Sequence, residues 1–114
     1  MKLYSYGACS TCRKALAWLR QHGLSVDPID ITLQPPSRDE LSQALSQLGR
    51  KRLLNTSGQS YRALGKDTVA AMDDAQLLAA LSADGRLIKR PFLISDQGHT
   101  LTGFNAEEWQ ASLA

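Results

Sequence analysis

Two cysteines three residues apart, Cys9 and Cys12, constrain this chain more than any other feature of its sequence. They enclose a Ser-Thr pair and follow a short strand-like run, residues 2–6. They precede residues 11–22, where apolar side chains recur at the spacing of an amphipathic helix. We therefore expect both thiols at the turn where a first strand ends and a first helix begins.

This position favours a reactive thiol. Only a thiolate is nucleophilic, and a free cysteine with a pKa of about 8.5 is mostly protonated at neutral pH. A helix start offers unpaired N–H groups and a partial positive charge, and Arg13 and Lys14 add cationic charge nearby. We predict that Cys9 is the attacking thiol and that Cys12, one turn inside the helix, is the resolving thiol.

Two other interpretations of the cysteine pair stay open. One is an inert pair of small residues, and the other is half of a zinc site. Structural zinc takes about four ligands, and only His22 and His99 could add to the two thiols. Redox chemistry is therefore the interpretation that we favour, and we expect no metal site.

The composition is that of an ordinary globular protein. The chain has 114 residues, of which 43% are apolar, and a net charge of +2, so we expect one domain over residues 1–114 and no direct contact with nucleic acid. No run approaches the ~20 apolar residues of a membrane span. Because Met1 and Lys2 lead straight into a strand-like run, we expect no signal peptide and a cytoplasmic location. A close cysteine pair is more often catalytic or redox-sensing there than structural.

The order of the predicted elements indicates an α/β, thioredoxin-like fold. A strand-helix-strand half precedes a strand-strand-helix half, and a helical insert lies between them. Ser37 and Glu40 form a capping-box pattern at the start of the insert. The predicted elements are strand 2–6, helix 11–22, strand 24–31, insert 37–84, extended segments 87–94 and 99–102, and helix 106–113.

Several short segments together point to a known family. They are Leu3-Tyr4 with the cysteine motif through Ala15, Leu53-Leu54-Asn55-Thr56, residues 88–94 (Ile-Lys-Arg-Pro-Phe-Leu-Ile) and Gly103-Phe104. On these segments the sequence resembles the arsenate reductase (ArsC)-like family, which includes the Spx/MgsR-type regulators. The resemblance covers nearly the whole chain, and it is specific for the family rather than for one activity within it.

The resemblance implies roles for four residues. Cys9 matches the nucleophilic cysteine, and Pro91 matches a cis proline that lies beside the thiol. Arg90 matches an arginine that faces the cysteine, where a guanidinium stabilises a thiolate and can hold an oxyanion or a carboxylate with two hydrogen bonds. Gly49 falls near the glycine through which the regulators contact the RNA polymerase α subunit.

The sequence also departs from the family pattern in residues that bind the substrate. Arsenate reductases linked to glutathione or glutaredoxin surround their cysteine with three arginines, and of those positions only Arg90 is basic here. The other two positions fall near Asn55 and Gly103, and some relatives carry an arginine where this chain has Ser57. Two nearby residues are candidates for the missing charges: Arg52 and Arg62.

The leading functional prediction is a thiol-disulfide oxidoreductase. Cys9 would attack a disulfide or an oxidised substrate, and Cys12 would then displace the product. Glutathione, glutaredoxin or thioredoxin would reduce the resulting disulfide, and no bound cofactor is expected. The alternative is a redox-sensing transcription regulator of the Spx/MgsR type that binds RNA polymerase, and a third possibility is an arsenate reductase.

Overall fold

A computed structural model of the chain describes residues 1–113, which form a mixed four-stranded sheet with strand order β2-β1-β3-β4. The central strand β1 (Lys2–Ser5) is parallel to β2 (Ile29–Asp30) and antiparallel to β3 (Phe92–Ile94). The edge strand β4 (Thr100–Thr102) is antiparallel to β3. This arrangement, with helices on the sheet, confirms the predicted thioredoxin-like α/β fold.

The helices begin where the sequence supplies caps. Ser37 and Glu40 form the predicted capping box, and Asp73 and Gln76 form a second one. None of the helices in residues 1–113 is both long and apolar enough to cross a membrane. The helices are α1 (Ser10–Gln21), α2 (Arg38–Leu48), α3 (Arg50–Leu53), α4 (Gln59–Leu64), α5 (Lys66–Ala70), α6 (Asp74–Ala83) and α7 (Ala106–Leu113), with a 3₁₀ turn at Gly85–Leu87.

The sheet separates two apolar clusters, because successive side chains of a strand point to opposite faces. Leu3 belongs to the cluster formed with α1 and α7, in which Trp109 is fully buried. The next residue, Tyr4, belongs to the cluster formed with the insert helices, which includes Leu41 and Leu77. The thiol-bearing helix and the insert therefore pack against opposite faces of β1.

Two segments differ from the sequence prediction. The second strand is limited to Ile29–Asp30 instead of residues 24–31, since Pro28 has no N–H to donate to a neighbouring strand. The extended segment predicted from Leu87 begins later, because the Gly85–Leu87 turn precedes it. Gly85 packs so closely on Ile31 that a Cβ at this position would lie 1.9 Å from the Ile31 carbonyl oxygen.

The basic run at residues 50–52 forms part of helix α3. The Arg50 guanidinium lies 2.8 Å from an Asp74 carboxylate oxygen, and it also donates to the Met72 carbonyl. Arg52 lies 2.6 Å from a Glu108 carboxylate oxygen. Arg50 therefore connects two helices of the insert, and Arg52 connects the insert to the last helix.

Candidate active site

Cys9 is the N-cap residue of α1. Its backbone is extended (φ −88°, ψ 117°), and its Sγ accepts a hydrogen bond from the Cys12 N–H at 3.3 Å. Its own N–H donates to the Tyr6 carbonyl oxygen at 3.1 Å, which closes the short loop after β1. The sulfur therefore lies at the helix start, where the sequence pattern predicted it.

The surroundings of Cys9 favour its thiolate. Partial burial acts to raise its pKa, but hydrogen bonds from the Cys12 side chain and backbone N–H act in the opposite direction. The positive charge of Arg90 and the Thr11 N–H lower the pKa further, so that it falls below that of an ordinary cysteine. Cys9 is half-buried, which leaves part of its surface open to solvent.

The surroundings of Cys12 favour its neutral thiol. Its side chain is only 1% exposed, and burial followed by its hydrogen bond to Cys9 raises its pKa to about 11. Hydrogen bonds from the Tyr6 backbone and the Ser5 side chain oppose this shift and are outweighed. Both cysteines are free thiols, so the pair is in its reduced state.

Arg90 lies close enough for its charge to act on Cys9. Its guanidinium carbon also lies 5.1 Å from the centre of the Tyr6 ring, where cation–π attraction helps to hold it. The Arg90–Pro91 peptide bond is cis, as the resemblance implied, and Pro91 is buried. The fold thus brings Arg90 from the second half of the chain to the thiols of the first half.

Arg13 orders the loop ahead of Cys9. Its guanidinium donates to the Gly7 carbonyl oxygen at 2.8 Å. Arg90, and neither Arg13 nor Lys14, is the cation whose charge lowers the Cys9 pKa. The cation that lowers the Cys9 pKa is therefore distant from Cys9 in the sequence, and it is not one of the neighbouring basic residues that the sequence suggested.

Gly49 is an exposed residue between α2 and α3. Its backbone has φ 79° and ψ 169°, a region that favours glycine over residues with a Cβ. Its N–H donates to the Leu45 carbonyl and ends α2. The backbone geometry therefore accounts for a glycine here without any partner.

The two candidates for the missing arginines are engaged elsewhere. Arg52 is paired with Glu108 of the last helix. Arg62 donates to the Ser57 carbonyl at 2.8 Å and to the Gly58 carbonyl at 3.4 Å, so that it ties α4 to the preceding loop. Neither guanidinium is directed to Cys9 by these contacts.

An arginine that the sequence analysis did not single out lies beside Arg90. Arg86 and Arg90 both line a cavity of about 470 Å³, which we call the arginine cleft. No local pattern around Arg86 marks it, because the cleft is assembled from segments that are far apart in the sequence. The other residues that line the cleft are Tyr6, Asn55, Gly58, Gln59 and Ser60.

The zinc interpretation lacks the ligands that it needs. Within residues 1–113, no three His, Cys, Asp or Glu side chains lie close enough together to hold a metal ion. The His22 ring stacks on Trp18 with ring centres 3.9 Å apart, and His99 is exposed in the turn before β4. Neither histidine is grouped with the thiols.

Comparisons with known sequences and structures identify similar proteins. The chain is 38% identical to the uncharacterized protein YusI of Bacillus subtilis, across 100% of this chain and 98% of that protein. It is 32% identical to the global transcriptional regulator Spx of Streptococcus pyogenes, across 98% of this chain and 84% of Spx. The structure of a possible arsenate reductase from Streptococcus mutans matches with a TM-score of 0.85 and 38% identity, covering 96% of each chain. The ArsC family model matches residues 4–112, and this chain therefore belongs to the ArsC family.

Proposed function

We propose that this protein is a thiol-disulfide oxidoreductase that uses Cys9 as its nucleophile and Cys12 as its resolving thiol. The observation that carries the proposal is the contrast between the two sulfurs. Cys9 is partly exposed and has a lowered pKa, whereas Cys12 is buried and has a pKa raised to about 11. This contrast suits a two-step exchange, in which Cys9 attacks the substrate first and Cys12 reacts only in the second step.

The reaction proceeds through a mixed disulfide. The Cys9 thiolate attacks one sulfur of a substrate disulfide, so that a Cys9–substrate bond forms, the substrate S–S bond breaks and one substrate thiolate leaves. Cys12 then loses its proton and attacks the Cys9 sulfur, which releases the second substrate thiolate and oxidises the protein pair to a disulfide. Two thiols of glutathione, or the dithiol of a thioredoxin or glutaredoxin, return the pair to its reduced state.

The loss of the hydrogen bond between the thiols assists the second step. Cys12 donates to Cys9 while Cys9 is a thiolate, and this contact raises the Cys12 pKa. Once Cys9 carries the substrate, it no longer bears a charge that holds the Cys12 proton. The Ser5 hydrogen bond to Cys12 lowers the Cys12 pKa and favours its ionisation at that stage.

A trapping experiment tests the proposal. In a Cys12→Ser variant the second step is blocked, so we expect a stable mixed disulfide on Cys9 after treatment with oxidised glutathione, detected by mass spectrometry. A Cys9→Ser variant serves as the matched control and should accumulate almost no adduct, because Cys12 is buried and protonated. Equal adduct formation in the two variants would show that Cys9 is not the preferred nucleophile.

The similarity to Spx supports a second candidate, a redox-sensing transcription regulator that binds RNA polymerase. The match covers nearly all of this chain, and Gly49 is exposed. In that function, oxidation of Cys9 and Cys12 would change the affinity for the α chain of the polymerase. A pull-down with the C-terminal domain of that α chain tests this candidate, and no binding by either the reduced or the oxidised protein would exclude it.

Arsenate reduction is the third candidate, and the charges near Cys9 support it least. Arg90 is the family arginine that the sequence retains, whereas Arg52 and Arg62 are engaged with other groups. Each lost charge-assisted contact costs ~1.5–3 kcal/mol, so an oxyanion would be bound weakly. We expect no arsenate turnover with glutathione and glutaredoxin, and a measured turnover would reverse this ranking.

A further inference from the structure

We propose that the arginine cleft binds the carboxylate groups of a small thiol or disulfide that reacts at Cys9, and that Arg86 sets the preference for anionic substrates. This inference rests on the proposed function and adds a substrate class to it. Four features of the cleft support it: its link to the thiol, its charge, its hydrogen-bonded wall, and its size with its polar groups.

Two residues that line the cleft also belong to the surroundings of Cys9. The Tyr6 carbonyl accepts the Cys9 N–H, and the charge of Arg90 acts on the Cys9 sulfur. The cleft therefore shares Tyr6 and Arg90 with the surroundings of Cys9, and Asn55, Ser60 and Arg86 also line it. A substrate whose sulfur reacts at Cys9 can place its remaining groups there.

The cleft carries a net positive charge. Two arginines line it, and within residues 1–113 no carboxylate lies at ion-pair distance from the guanidinium group of either. The Asp30 carboxylate interacts electrostatically with Arg86, but it accepts hydrogen bonds from the Thr32 backbone N–H and hydroxyl group. The Asp84 carboxylate accepts the Arg86 backbone N–H. Among the described residues, neither guanidinium group is therefore paired with a carboxylate, and both can bind an anion.

One wall of the cleft is fixed by hydrogen bonds. The Asn55 side chain donates to the Arg86 carbonyl at 3.2 Å, and Arg62 holds the Ser57 and Gly58 carbonyls. Gly58 lies so close to Asn55 that a Cβ would approach its Nδ2 to 2.8 Å. A wall of this kind keeps the polar groups of the cleft in place before a ligand arrives.

The dimensions and polar groups of the cleft indicate the class of ligand. A volume of about 470 Å³ lies in the range of small-molecule pockets and is far larger than one oxyanion requires. Guanidinium groups bind carboxylates with paired hydrogen bonds, while Asn55, Gln59 and Ser60 offer partners for amide groups. A peptide-like thiol with carboxylates at its ends, of which glutathione is an example, meets these requirements.

The test compares an anionic with a neutral disulfide. In the Cys12→Ser background, the rate of mixed-disulfide formation is measured with oxidised glutathione and with 2-hydroxyethyl disulfide. We expect Arg86→Ala to lower the ratio of the two rates about fivefold, the size of one exposed charge pair, and Arg86→Lys to retain most of it. The matched control is Arg20→Ala at the exposed end of α1, which removes one charge elsewhere and should keep the ratio within about twofold.

A binding measurement separates failure of this inference from failure of the proposed function. S-methylglutathione cannot exchange with a disulfide, and Arg86→Ala should weaken its affinity about fivefold in a calorimetric titration. If Cys9 reacts with both disulfides but Arg86→Ala changes neither the rate ratio nor this affinity, the inference is wrong and the proposed function stands. If Cys9 reacts with no disulfide in any variant, the proposed function fails and the inference fails with it.

Discussion

The surroundings of Cys9 and Cys12 differ sharply although the two residues share one turn of helix. Cys9 caps the helix, so that its sulfur meets backbone N–H groups and remains partly open to solvent. Cys12 lies inside the first turn, on the side of α1 that faces the sheet, and is buried. Relative to an ordinary cysteine, the pKa of Cys9 is therefore lowered and that of Cys12 is raised.

This difference shows that a three-residue spacing is enough to shift the pKa values of two thiols in opposite directions. The N-cap position turns a side chain back towards the third helical N–H, which here belongs to Cys12 itself. Cys12 therefore helps to stabilise the Cys9 thiolate while its own thiol stays protonated. Removing either partner, or the groups around them, should alter this difference in a predictable direction.

The largest expected effect is on alkylation at neutral pH. A thiol with a pKa of about 11 is ionised to only ~0.01% near pH 7, and an ordinary cysteine with a pKa of about 8.5 to ~3%. The lowered pKa of Cys9 makes its thiolate fraction larger than that of an ordinary cysteine. Iodoacetamide should therefore modify Cys9 more than a hundredfold faster than Cys12, measured by mass spectrometry of each site. Reaction of Cys9 no faster than free cysteine would show that its thiolate is not stabilised.

The second effect is on stability in alkaline solution. Because folding raises the Cys12 pKa, its contribution is complete below the unfolded pKa of about 8.5 and is lost as the pH rises towards 11. Between pH ~7 and ~10 this loss amounts to about 2 kcal/mol in the free energy of unfolding. A Cys12→Ser variant should lack it, as measured by denaturant unfolding under reducing conditions.

Cys9 supplies the control of opposite sign. Its pKa is lowered on folding, so its contribution is present above the unfolded pKa and is lost as the pH falls through the folded pKa. A Cys9→Ser variant should therefore lose stability more steeply with rising pH than the native chain. Identical pH profiles for the two serine variants would contradict the assigned directions.

The third effect concerns the charge that Arg90 brings to Cys9. Arg90→Met removes this charge, so the Cys9 pKa should move up and its alkylation rate near neutral pH should fall about threefold. Arg90→Lys keeps a cation and should restore part of the rate. Ultraviolet absorbance of the thiolate as a function of pH reports the change directly, and an unchanged titration would remove Arg90 from the mechanism.

The smallest effect concerns Ser5, which is buried and whose side chain is hydrogen-bonded to Cys12. Ser5→Ala removes the hydroxyl group that lowers the Cys12 pKa, so closure of the Cys9–Cys12 disulfide should slow about twofold. Stopped-flow measurement of the released thiol follows this step. The alkylation rate of Cys9 is the internal control, and a change in that rate instead would mean that Ser5 acts on the nucleophile.

Much of the fold follows from local sequence signals. The capping box at Ser37 predicted the start of α2. The second strand was predicted too long, since its length depends on pairing with β1 instead of on apolar content. The ion pairs of Arg50 and Arg52 do not follow from local signals, because their acidic partners lie on other helices.

The thiol pair and its place at the start of a helix can be read from the amino-acid order alone, because the cysteine spacing, the helical pattern and the N-cap chemistry are all local. Which cations serve this site depends instead on how the chain packs. Arg90 lies beside Cys9, Arg86 shares its cleft, and Arg62 is committed to a loop. Charges act through space, and their neighbours are fixed only when segments distant in the chain pack together.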